Sequence, residues 1–199
     1  MRRFLQTFLL LAAMALSGCA SQTTMQTRPM LADNEAMVAP KVIFVIPPPS
    51  ALGQTVDLAQ TIAAHYRNQS YVFDVQIQIT PEKLDLVALD GFGRRALTVT
   101  WKADKIDYQP APWLPPILRP ADILADFVIV YWPDDVVSSS LRASGAILTA
   151  TDGGRKISTG RRNLIVVEYG KGEGWNRSAK LRNLAFGYEI DIQSSAISP

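Results

Sequence analysis

The sequence predicts a mainly β, α+β domain, a curved antiparallel sheet or half-open β-barrel with a helical lid. Three observations predict it. Short segments in which apolar and polar residues alternate recur in both halves of the chain, separated by Gly-, Pro- and Asn-containing turns. One strongly apolar stretch with helical spacing, residues 120–132, interrupts them. The order strands, helical insert, strands places the helix on one face of a single antiparallel sheet.

The chain opens with Arg2 and Arg3, then Phe4 and the apolar run 8–16, which is too short to span a bilayer. The run closes on Leu16-Ser17-Gly18-Cys19, and Cys19 is the sole cysteine. This resembles the lipobox of bacterial lipoproteins. The resemblance implies a signal peptide over 1–18 and a covalent diacylglycerol plus N-acyl chain on Cys19, placed by the lipoprotein-processing and sorting machinery. Ala20 follows rather than Asp, which by analogy with enterobacterial sorting implies the outer membrane, facing the periplasm. Residues 19–40 are polar and aperiodic and predict a flexible tether. Residues 41–199 are expected to form one domain.

Val42-Ile43-Phe44-Val45-Ile46, stopped by Pro47-Pro48-Pro49, predicts a strand. Residues 56–66 fit a helix or a strand, with a strand favoured in the second half by the turn Arg67-Asn68-Gln69-Ser70. Phe73, Val75, Ile77 and Ile79 alternate with polar residues, which puts one face on a core and the other in water. Pro81-Glu82-Lys83 turns the chain into a strand over 84–89. Asp90-Gly91-Phe92-Gly93 turns it again into 97–101, and Ile106 and Tyr108 begin a fourth strand, completing a meander.

Prolines 110, 112, 115, 116 and 120 mark a rigid loop, with Pro120 suited to a first helical turn. Ile123, Leu124, Phe127, Val128 and Tyr131 follow at helical spacing. With Ile129, Val130 and Trp132 the segment is apolar almost all round, which predicts a buried helix. Pro133 breaks it, and a second short helix runs from Asp134 or Asp135 to about Ala143. Strands are predicted again over 146–151, 156–159, 164–169 and 186–192.

Removal of Arg2 and Arg3 brings the formal charge from +2 to about zero, so nucleic acid is a poor partner. With one cysteine no internal disulfide can form. His65 is the sole histidine, no Gly-x-Ser-x-Gly elbow occurs, and no His or Cys cluster has metal-ligand spacing. A non-enzymatic protein without metal or dissociable cofactor is expected.

The run 84–89 with its Gly-x-Gly hairpin and the returning Leu97-x-Val99-x-Trp101 is similar to an uncharacterised bacterial lipoprotein family often encoded among aryl polyene genes. So are Leu114-Pro115, the helix Pro120-x-x-Ile123-Leu124-Ala125-Asp126 to Trp132-Pro133, and Asn183 to Gly187-Tyr188-x-Ile190-x-Ile192. The layout is remotely similar to LolA and LolB, the periplasmic lipoprotein carrier and outer-membrane receptor. That resemblance implies a domain that binds or transfers a lipid, acyl or lipoprotein cargo, with Ile123, Phe127, Tyr131 and Trp132 as lid or cavity residues. It also implies a membrane-contacting loop of Gly91, Phe92 and Gly93, set against the residues' own leading reading that Phe92 folds back on its neighbouring strands. The basic residues Arg155, Lys156, Arg161, Arg162, Lys171, Arg177, Lys180 and Arg182 could face anionic headgroups or be solvated turn residues. The alternative is a structural or assembly lipoprotein with a filled core. More remote is a lipid esterase or thioesterase.

Overall fold

The computed structural model describes residues 31–103, 105–116 and 118–198. The signal segment, Cys19 and the greater part of the expected tether lie outside them. Order begins before Lys41: β1 (Glu35–Ala39) pairs antiparallel with β2 (Val42–Val45). Lys41, at a φ of 67°, makes the turn between them. Ala36, Val38, Ala39, Val42 and Phe44 are buried, so burial against the rest of the domain orders a segment whose own pattern is too short to reveal a strand.

The remaining strands are β3 (Val56–Tyr66), β4 (Gln69–Ile79), β5 (Lys83–Asp90), β6 (Arg95–Lys102), β7 (Ile106–Pro110), β8 (Ile147–Thr151), β9 (Gly154–Thr159), β10 (Arg162–Glu173), β11 (Asn176–Asn183) and β12 (Tyr188–Ser198). They form one antiparallel sheet in the order β7-β6-β5-β4-β3-β12-β11-β10-β9-β8. The last strand joins the first meander by pairing β12 with β3 over most of their lengths. β7 and β8 remain as unpaired edges, so the sheet is curved and open, not a barrel.

Two helices lie between the halves of the meander, α1 (Pro120–Tyr131) and α2 (Asp134–Leu141). Pro120 starts α1 with its φ already helical, and Pro133 forces the preceding Trp132 out of the helix to an extended ψ of 157°. The curvature is visible in what reaches α1. Gln60 from β3 donates to the Tyr131 hydroxyl at 2.9 Å, and Tyr169 from β10 donates to the Val130 carbonyl at 2.7 Å. Trp101 from β6 lies tilted against Trp132 with ring centroids 6.1 Å apart, and Arg155 from β9 donates to the Trp132 carbonyl at 2.8 Å. A twelve-residue helix, about 18 Å long, meets side chains from strands on both sides of the sheet only because the sheet wraps round it.

The β1–β2 hairpin covers another side, with β1 packed on α1. That double cover is why residues 127–131 are all buried and why the helix is apolar nearly all round. The stretch 56–66 is strand throughout. β11 had no counterpart in the sequence pattern, because its inward positions are Ala179, Leu181 and Asn183, with basic residues between.

Candidate functional site

The tip of the β5–β6 hairpin is held by one carboxylate. Asp90 Oδ1 accepts from the backbone N–H of Phe92 and of Arg94, both at 2.9 Å. Its Oδ2 accepts from Arg94 Nε at 2.8 Å and meets Nη2 at 2.7 Å. Removal from water raises the Asp90 carboxyl, but the hydrogen bonds from the Arg94 side chain and backbone and from Phe92 outweigh it, and it stays below the usual carboxylate range. Gly93 takes a φ of 75°, where an L side chain is strained. Phe92 is therefore projected, not folded back: it is 88% exposed. Arg94 lies over its ring at 5.4 Å and over the half-exposed Trp113 ring at 5.7 Å. Trp113, Arg94 and Asp90 were missed in the sequence. An Asx residue two positions before an aromatic residue flanked by glycines is the signal that points to Asp90 and its turn, while only the fold brings Trp113 to Arg94.

The four expected lid residues come together on α1 and its end. Ile123 is half-buried, while Phe127, Tyr131 and Trp132 are buried. Phe127 packs on Tyr131 at 4.9 Å and edge-on to Trp132 at 5.5 Å. Tyr131 stacks on Trp175 at 5.1 Å. These rings occupy the space between helix and sheet. Two open surface clefts, of about 430 and 520 Å³, are lined by none of the four.

Beside this packing sits a polar cluster. Tyr188 donates its hydroxyl to the Asp126 carboxylate at 2.9 Å, and Asn183 Nδ2 donates to the same hydroxyl at 3.2 Å. Burial pushes the Asp126 carboxyl up to about 7, against the Tyr188 hydrogen bond that lowers it, and nearby Asp122 raises it further. Burial also drives the Tyr188 hydroxyl well above the usual tyrosine value.

The family model described as "Protein of unknown function (DUF3261)" matches residues 57–196, from the start of β3 into the end of β12. The chain belongs to this DUF3261 family. No curated protein matches it.

In this DUF3261 protein the eight basic residues do not form one patch. Arg155 is buried and caps the C-terminal carbonyls of α1, donating to Ile129 and Trp132, with Asp134 at 3.4 Å. Arg177 stacks on Tyr169 at 3.5 Å, Lys180 pairs with Asp191 at 2.9 Å, and Arg182 pairs with Glu168 at 2.6 Å. Arg161 and Arg162 stand exposed at the β9–β10 turn. His65 on β3 lies between Ser70 Oγ at 2.9 Å and Asp191 at 3.5 Å. This trio is an exposed cross-strand cluster, and the Asp191 charge is shared with Lys180. Among the described residues no group of three or more His, Cys, Asp and Glu side chains is placed to hold a metal ion, and no helix is long and apolar enough to cross a membrane.

Proposed function

We propose that this chain is an outer-membrane lipoprotein, anchored through Cys19 and facing the periplasm. In this reading it is a non-catalytic module that docks on a membrane surface while handling a lipid, acyl or lipoprotein cargo. The observation that carries the reading is the tip at Phe92. A large aromatic side chain held in water by an Asp90-built turn is costly unless it has an apolar destination, and an aromatic ring flanked by Arg94 and Trp113 suits a bilayer interface. A sheet wrapped round one helix is also the feature that supports a remote likeness to LolA and LolB, while a link to aryl polyene export rests on the resemblance to the lipoprotein family encoded among aryl polyene genes.

The aromatic packing of Phe127, Tyr131 and Trp132 favours a second reading, an assembly lipoprotein whose interior is occupied by its own side chains. A cargo chain would then bind only if α1 or the β1–β2 hairpin moved. The chain from residue 20 onward, produced without lipid, separates the two. Phe92→Glu is expected to leave the melting temperature unchanged and to weaken liposome binding at least tenfold, since burying a Phe side chain contributes about 1.5–3 kcal/mol. Mass spectrometry of the purified protein for co-purified acyl lipid then tests the cargo. Unchanged liposome binding of a stable Phe92→Glu protein would remove the docking reading.

A further inference from the structure

A second loop is built like the Phe92 tip. Asn183, buried at the end of β11, accepts at Oδ1 from the N–H of Ala185 at 3.1 Å and of Phe186 at 2.9 Å. Its Nδ2 donates to the Val38 carbonyl at 2.9 Å, tying the turn to β1. Gly187, at a φ of 70°, closes the turn by donating to the Asn183 carbonyl at 2.8 Å. The loop therefore has a fixed shape, yet it holds Leu184 50% exposed and Phe186 39% exposed.

The strand registers place both loops on one end of the sheet. Asp90, Phe73, Ile62, Ile192, Ala179 and Tyr169 lie opposite one another in a continuous row across β5, β4, β3, β12, β11 and β10. From that row the turns at residues 91–93, 67–68, 184–187 and 160–161 all point the same way. Each tip reaches further along the strands than the last, by about six residues across the five spacings between these strands, roughly 20 Å against 24 Å, an inclination of about 40°. Strands of closed barrels tilt by about 35–45°, a stagger of the same size, and on that ground the tips of this curved sheet are taken together as one rim.

The rim is also the basic end. Its turns carry Arg67, Arg94 and Arg161, with Arg162 at the start of β10, and their single acid, Asp90, is neutralised by Arg94. Among the described residues no salt bridge involves Arg67, Arg161 or Arg162. The opposite end is mixed: Glu82, Asp152 and Glu173 stand there with Lys83, Lys102 and Lys105, and Lys83 and Lys105 are paired with Asp85 and Asp107.

We propose that this rim docks on an anionic bilayer at two points, with Phe92 and the Leu184/Phe186 loop entering the interface and Arg67, Arg161 and Arg162 meeting the headgroups. The proposal rests on the membrane-docking reading of Phe92 and adds the second point and the lipid charge. Two insertions separated across the sheet fix the angle at which the domain sits, which a single tip on a tether cannot do. Preformed loops also bind without a large ordering cost.

The test uses the chain from residue 20 onward, without lipid, sedimented with phosphatidylcholine vesicles that contain or lack phosphatidylglycerol. Leu184→Ser/Phe186→Ser should weaken binding to both vesicle types about tenfold. Arg161→Gln/Arg162→Gln should leave neutral vesicles unaffected and weaken binding to anionic ones about 25-fold, at about fivefold per arginine. Because Cys19 is the only cysteine, Phe186→Cys in this form gives a unique position for an environment-sensitive dye. Its emission should rise on adding anionic vesicles while the melting temperature of the labelled protein matches that of the wild type, which separates insertion from a folding defect.

If Phe92→Ser abolishes binding while the Leu184/Phe186 double variant and the dye at position 186 are unaffected, the second point is overturned and the single-tip reading survives. Equal wild-type affinity for the two vesicle types overturns the headgroup role. Failure of the wild-type chain to bind either overturns both readings.

Discussion

Replacing Asp126 by Asn should stabilise this protein at neutral and alkaline pH and leave it unchanged in acid. The Asp126 carboxyl titrates near 7 in the fold against an ordinary value of 3.8, chiefly because burial disfavours its charge. The folded state thus binds the proton more tightly than the unfolded chain. The associated stability is fully present below pH 3.8 and is lost as the pH rises through about 7. A difference of about three units corresponds to about 4 kcal/mol as a ceiling. Asp126 keeps some contact with water, so the expected gain for Asp126→Asn at pH 8 is about 1–3 kcal/mol. Asn retains the shape and an oxygen to accept from Tyr188. Urea denaturation of both proteins at pH 4, 6 and 8 measures it, the difference between them isolating this residue from other titrating groups. A gain that does not grow between pH 4 and 8, or a loss at every pH, would refute the argument that the carboxylate is held in an environment hostile to its charge.

Phe127→Asp should cost about 3–5 kcal/mol by thermal or chemical denaturation, since it buries an unpartnered carboxylate among Tyr131 and Trp132. Arg155→Met should cost about 2–4 kcal/mol by leaving the Ile129 and Trp132 carbonyls without their donor. Arg155→Lys should recover only part of this, because one ammonium cannot bond both carbonyls and also approach Asp134 as the two guanidinium nitrogens do. Cys19→Ala should leave an unprocessed precursor or a soluble protein in cell fractionation, and normal processing with membrane partition would sink the anchor reading.

Some of the molecule could be read directly from the chain. The alternation of Phe73, Val75, Ile77 and Ile79 gives β4, and Pro120 and Pro133 bound α1, because these signals arise from neighbours a few residues apart. The Gly91-Phe92-Gly93 tip was legible for the same reason, although only the Asp90 hydrogen bonds decide that Phe92 faces water. The 56–66 segment stayed ambiguous because its neighbours β4 and β12, not its own period, make it a strand.

The sequence by itself determined the local units: the meander of 69–110, the proline-bounded apolar helix and the late strand near residues 188–192. Only the tertiary structure decided that 35–39 and 176–183 are strands, since each depends on partners supplied by distant parts of the chain. Only it decided that Arg155 is a buried helix cap while Arg161 is exposed, and that the loops after Asp90 and Asn183 lie at the same end of the sheet. Periodicity reports which face of an element is apolar. Which elements meet is set by sheet order, register and tilt, which are long-range properties of the packed chain.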